Sequence, residues 1–167
     1  MTSMLPLVRR WADDVRRNHG LEHATVAVLF ARHGPQRIAG RATRDGFYIL
    51  GSVDPDELVS CAHEALDRLQ AGEASLAVSP MCGTNIAVAG ALTAAAAMLA
   101  TRDRARGLLD RFANATTFAM FAVILAQPAG ALLQRYVTTR PDLGDVRIEG
   151  VRTLLPGVCK VATSSVR

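Results

Sequence analysis

The chain has 167 residues, half of them hydrophobic and only 5% aromatic, with a formal net charge of +4. That length suits one domain with room for a real core. Nearly all the basic residues are arginines scattered among acids, with no basic stripe interleaved with aromatics, which excludes nucleic-acid binding. Mean hydropathy is +0.18 and the apolar residues are bunched, which points to a membrane.

Residues 4–17 read as an amphipathic helix carrying Trp11. The start lacks the apolar core and cleavage site of a secretory signal. Asn18 is placed to cap a second helix, running through His19-Gly20-Leu21-Glu22-His23 to Phe30 and ending near His33-Gly34-Pro35. The β-branched run Thr25, Val26, Val28 leaves a strand open as the alternative. The choice matters for chemistry. On a helix, residues four apart share a face with Cβ atoms roughly 5–6 Å apart, whereas on a strand they stand about 13 Å apart. Two imidazoles at helical spacing can converge on one metal ion, and Glu22 can take a proton as general base. The order H-x-x-E-H is that of the inverted zincins.

A hairpin follows: 37–41, a turn around Arg44-Asp45-Gly46, then 47–50, with Asp-Gly supplying the positive φ of a tight turn. Asp54 as N-cap, Pro55 at N1 and Glu57 at N3 open a helix. Its apolar stripe is Leu58, Cys61, Ala62, Ala65, Leu66 and Leu69. Leu76-Ala77-Val78 is a short strand candidate, and residues 79–85 form a turn holding Cys82.

No charge occurs between Glu73 and Arg102, nor between Arg111 and Arg135. Each window approaches the ~20 residues of a spanning helix. The joining loop, 101–111, holds four arginines and two aspartates. Small residues four apart (Ala87/Ala91, Gly90/Ala94, Ala122/Ala126, Ala126/Gly130) permit close helix approach, and Pro128 is expected to kink the second helix. A buried hairpin in a soluble core is the competing reading. After a turn at 140–144, Val146 and Ile148 alternate with Arg147 and Glu149 as a half-exposed strand, and 158–162 is the last strand.

The expected fold is therefore α+β: a small mixed sheet with helices, interrupted by a two-helix transmembrane hairpin. Residues 1–84 hold the motif helix, 85–134 the hairpin, and 135–167 the closing strands. Three cysteines without a C-x-x-C pair argue against a disulfide framework and for a reducing compartment. That suits a bacterial inner-membrane protein with its soluble part in the cytoplasm.

Catalytic zinc usually takes three protein ligands. Cys82 is the best third ligand beside His19 and His23, ahead of Glu64 and Glu73, with Thr84 and Asn85 available to orient substrate or to cap the following helix. His33 reads as a helix-end residue, His63 as surface, and Cys61 and Cys159 as small core residues.

The His-Gly-Leu-Glu-His helix, followed by Ser-Pro-Met-Cys-Gly-Thr and an apolar hairpin, resembles a family of uncharacterised bacterial and plastid membrane proteins. They pair a His-Gly-x-Glu-His motif with a Cys-Gly-Thr turn, and some are regarded as metal-dependent enzymes. The likeness runs from about Asn18 through the second apolar segment and into Thr138-Thr139-Arg140-Pro141. It implies a role for His19, Glu22, His23, Cys82, Gly83 and Thr84. The chain departs from the pattern with Ala24 where relatives can carry Lys, and with Ser79-Pro80-Met81 where they can carry His-Pro-Arg. Read from the residues, zinc or another divalent metal is the expected cofactor, and hydrolysis of a polar bond near the bilayer the expected reaction. The alternatives are a non-catalytic subunit or assembly factor, with membrane-protein partners or further copies of itself around the hairpin, and a soluble domain that binds a small molecule.

Overall fold

A single unbroken helix, α1 (Met4–His33), carries the motif and organises the first part of the chain. The computed structural model describes residues 4–103, 105 and 107–165. Met1, Thr2 and Ser3, and Arg104 and Arg106 of the expected arginine-rich loop, lie outside the described residues.

The expected break at Asn18 does not occur. Asn18 is buried, and its amide donates to Thr43 O and Arg44 O at 2.9 Å each while Oδ1 accepts from Thr163 Oγ1 at 2.7 Å. A side chain satisfied on both ends by tertiary partners has no reason to cap. The β-branched run stays helical: Thr25 returns its hydroxyl to Leu21 O at 2.8 Å. Gly34, at φ 75°, ends the helix by donating to Phe30 O.

Two compact units make up the chain. One takes the residues up to Ser79 and again from Arg135, and the other is Pro80–Gln134. In the first, β1 (Ala39–Thr43), β2 (Gly46–Leu50), β3 (Val146–Leu155) and β4 (Val158–Ser165) form a sheet of order β1-β2-β4-β3. Every pairing is antiparallel, where a mixed sheet was expected, because β1–β2 and β3–β4 are hairpins and β4 lies antiparallel to β2. The first turn differs from expectation in detail. Among the described residues no non-glycine has positive φ, and Gly46 alone takes it in this turn, at 133°.

Helix α2 (Pro55–Gln70) starts as its sequence dictates, with Asp54 Oδ1 accepting from Asp56 N and Glu57 N at 3.0 Å. Its six stripe residues are all buried. They meet Leu21, Val28 and Leu29 of α1 and Phe47, Ile49 and Val161 of the sheet in one core. Residues 76–78 are not a strand. Ala74–Ala77 winds into a short 3-10 helix after Gly72, which has φ 96°. That compact turn brings the chain back against α1, where an extended segment would need a sheet edge beside it.

The second unit is a helical hairpin, α3 (Gly83–Ala100) and α4 (Leu108–Leu133), the latter continuing as a π-helical turn, Gln134–Thr138. Both helices are long and apolar enough to cross a membrane, and Pro128 lies inside α4. The expected stripe Ala122, Ala126, Gly130 is the buried face of α4. The α3 pairs are not its counterpart: Ala87, Gly90, Ala91 and Ala94 are exposed, and Asn85, Val88, Ala89, Thr93 and Ala96 lie on the more covered face. Asn85 is the buried residue of α3. It donates to Pro80 O at 2.8 Å and accepts from Gln134 Nε2 at 2.9 Å. A Cβ at Gly130 would overlap its Oδ1.

Two expectations follow for the first unit. A Cβ at Gly46 would strike the Val161 carbonyl, whereas nothing lies within 4 Å of one at Gly34. Gly46→Ala should therefore lower stability by about 3 kcal/mol and Gly34→Ala by about 1 kcal/mol in detergent unfolding curves. The Glu57 carboxylate accepts from His33 Nε2 at 3.0 Å, Arg32 Nη1 at 2.8 Å and the Cys61 thiol at 3.4 Å. His33, then Arg32, hold it down to about 2, from an ordinary value of 4.5. Because the folded value is the lower one, this contribution is complete above pH 4.5 and drains away as pH falls toward 2. Glu57→Gln should flatten that acid limb in unfolding measured against pH.

Candidate metal centre

Six consecutive residues of α1, Gly20 to Thr25, are buried, so this stretch is covered on every face of the helix. Each residue of the motif answers a different neighbour. Leu21 enters the core with no exposed surface. Gly20 makes room for a backbone: a Cβ there would stand 2.9 Å from Arg140 O and 3.2 Å from the Ala77 methyl. The segment around 136–140 is laced to α1 by Arg140 N donating to Arg16 O at 3.0 Å and by Arg16 Nη2 donating to Tyr136 O at 3.0 Å.

The two histidines do the same job at two helix ends. His19 Nδ1 lies 2.9 Å from Thr138 O, the last residue of the π-helical turn, and His23 Nδ1 lies 2.8 Å from Ala77 O, the last residue of the 3-10 helix. Terminal helix carbonyls lack intrahelical donors, and a ring N–H supplies one. A carbonyl oxygen can only accept, so Nδ1 carries the proton in both rings. In the neutral imidazole Nε2 is then the lone-pair nitrogen, the arrangement that a hydrogen-bonded metal ligand has. The rings stand edge to face with centroids 4.4 Å apart. One ring nitrogen of each lies within 4.8 Å of one of the other's.

Glu22 leaves this pair and points to β1. It is buried, and its carboxylate fills the space a Cβ would need at Gly40. The structure thus brings His19 and His23 together and sets Glu22 on the neighbouring helix face. Glu64 and Glu73 are held in ion pairs, Glu64 with Arg32 and Glu73 with Arg68 at 2.6 Å, and so are withdrawn from ligation. Burial, helped by Glu57, pushes the Cys61 thiol up to about 11 and keeps it a protonated core residue.

Cys82 belongs to the hairpin unit. It is buried and is itself the N-cap of α3, its sulfur accepting from Thr84 N at 3.4 Å. The expectation that Thr84 or Asn85 caps α3 therefore shifts one turn position back, onto the thiol. Asn85 serves the helix pairing already described. Chemically, His19 and His23 of the first unit and Cys82 of the second are residues of the kinds that bind a metal ion, each offering one ligand atom. A broad cleft of roughly 680 Å³ beside Asp14, Arg17 and Ser164 contains none of them.

The residues that sequence reasoning missed are chiefly backbone groups. The Ala77 and Thr138 carbonyls orient the rings, and a carbonyl has no side-chain signature. Gly40 is visible as a glycine in a strand, where close approach of another group is a general reading.

A family model described as a domain of unknown function matches residues 14–151. The chain belongs to this family, DUF6391. The DUF6391 match takes in both histidines, Glu22, Cys82 and both apolar helices. An uncharacterized protein of Picosynechococcus sp. (strain ATCC 27264 / PCC 7002 / PR-6) is 37% identical over 134 residues. The alignment covers 75% of this chain and 65% of that relative, so the chain spans a little under two thirds of the relative's length. No solved structure matches.

The ring tautomers are open to direct measurement. Long-range ¹H–¹⁵N spectra of the metal-free protein should show Nδ1–H for both His19 and His23. Gly20→Ala should release His19 from that state by pushing the Arg140 segment outward. Gly72→Ala, where nothing lies within 4 Å, should not.

Proposed function

We propose that this is an integral membrane protein whose α3–α4 hairpin crosses the bilayer, and whose His19, His23 and Cys82 hold a divalent metal, zinc foremost, for hydrolysis of a polar bond at the membrane surface. The observation that carries the reading is the shared tautomer. Two neighbouring imidazoles each spend Nδ1–H on a backbone carbonyl, which presents Nε2 as a ligand. Cys82 follows Ala77, the His23 partner, by five residues, so the chain itself tethers the thiol within roughly 18 Å of that carbonyl. Two imidazoles and a thiolate are a catalytic zinc donor set.

Bound there, the metal would supply a Lewis acid with one coordination position left for water or substrate. Glu22, next to His23 in sequence but turned toward Gly40 of β1, would accept and return the proton through a bridging water rather than by direct contact. Thr84 orients substrate next to the Cys82 turn. Asn85, held by Pro80 and Gln134, positions that turn rather than touching substrate.

Length and surface support the membrane reading. The two apolar windows have mean hydropathies of 1.5 and 1.6. Leu108, Leu109, Phe112, Phe121, Ile124 and Leu125 are more than 60% exposed, a face that water would penalise and lipid would not. An 18-residue helix rises about 27 Å, close to the ~30 Å hydrocarbon core, and the 31-residue span exceeds it and must tilt. None of the three cysteines is in a disulfide, which suits an inner-membrane protein with its soluble part in the cytoplasm.

A specific observation favours a second reading, a non-catalytic subunit or assembly factor. The exposed small-residue face of α3, Ala87, Gly90, Ala91 and Ala94, fits the close approach of a partner helix. Elemental analysis of the detergent-purified full chain separates the two. The metal reading predicts about one divalent ion per chain, lost in the His19→Ala/His23→Ala double variant and kept in Glu22→Gln. Full metal content in the double variant overturns it.

A further inference from the structure

We infer that the first turns of α1 form an interfacial helix that lies on an anionic lipid surface. Leu7, Val8 and Trp11 are 64%, 58% and 55% exposed, an unusual cost for an arm facing water. At about 100° per residue they fall within one arc of roughly 100°, with Arg9 beyond one edge and Arg10 beyond the other. An apolar arc edged by arginines, with a tryptophan in it, is the composition of helices that settle at the boundary of headgroup and acyl chain.

Charge complementarity chooses the occupant. The acids on this stretch are committed elsewhere: Asp13 to Arg140 at 3.2 Å and Asp14 to Arg44 at 3.5 Å. That leaves Arg9 and Arg10 as excess positive charge. Arg44 of the β1–β2 turn, paired with Asp14 and two-thirds exposed, walls an open cleft of about 400 Å³ whose other walls are Leu7, Val8, Arg10 and Trp11. The Arg9 and Arg10 guanidinium groups, on either side of an apolar floor, match lipid phosphates above their first methylenes. A second copy of this chain would present the same positive charge to itself and is disfavoured on that ground. The inference uses α1 and the β1–β2 turn alone and draws nothing from the metal centre.

Trp11 is the one tryptophan in the sequence, so intrinsic fluorescence reads this arm without labels. The full chain is placed in lipid discs of phosphatidylcholine, with and without phosphatidylglycerol, carrying brominated acyl chains. Trp11 should be quenched by the bromolipid and shielded from acrylamide when phosphatidylglycerol is present. Arg9→Gln and Arg10→Gln should each lower the docked-to-undocked ratio about fivefold. Carbonate-resistant flotation of the same protein scores the hairpin separately, so a failure there is distinguishable from a failure of the arm. Acrylamide access with no bromolipid quenching overturns the inference. Shielding without bromolipid quenching, growing with protein concentration, also overturns it, by assigning the face to a second copy.

Discussion

The middle of α1 is covered on every face, and that constraint governs what surrounds it. A helix buried all round ordinarily carries only apolar side chains. This one carries Asn18, Glu22, His23 and Thr25 in or beside its buried stretch. Leaving a buried polar group unsatisfied costs about 1–3 kcal/mol, more for a charge. Neighbouring elements must therefore arrive with matching groups. The hairpin turn offers two carbonyls to Asn18, the 3-10 helix ends on a carbonyl facing His23, and the π-helical turn ends on one facing His19. Gly20 and Gly40 are the complement on the steric side, since each marks a place where another group comes too close for a Cβ.

The hairpin solves a different problem. Where both helices are apolar on every side, their pairing depends on close backbone approach and a few polar contacts. Ala122, Ala126 and Gly130 supply the first, and the Pro80–Asn85–Gln134 chain of hydrogen bonds supplies the second. Gly130 joins the two, because the space it vacates is where the Asn85 amide sits.

Legibility in the sequence tracks how local the physics is. The start of α2 and its buried stripe could be read residue by residue, because capping and periodicity act within a few positions. The pairing face of α4 was legible for the same reason, whereas α3 was not. An alanine-rich helix has small residues on all sides, so its phase is set by the partner rather than by its own pattern. Asn18 looked like a cap because its residue type favours caps, but three long-range hydrogen bonds claimed it instead. Residues 76–78 carry a strand's composition without a strand's neighbours. In the candidate centre the histidine and cysteine side chains stood out, while the carbonyls that fix the ring tautomers could not, since every residue has one.

The strand order has a consequence for timing. β4 sits between β2 and β3, yet it is the last strand to be synthesised. Thr138, which orients His19, likewise comes after both apolar helices. When α3 and α4 leave the ribosome, α1 and the first hairpin have no completed sheet to close on, and the first imidazole has no carbonyl to set its proton. Assembly of the first unit must wait for the strands that follow the two apolar helices. The His19–His23 pair is therefore finished late, after both apolar helices have been made.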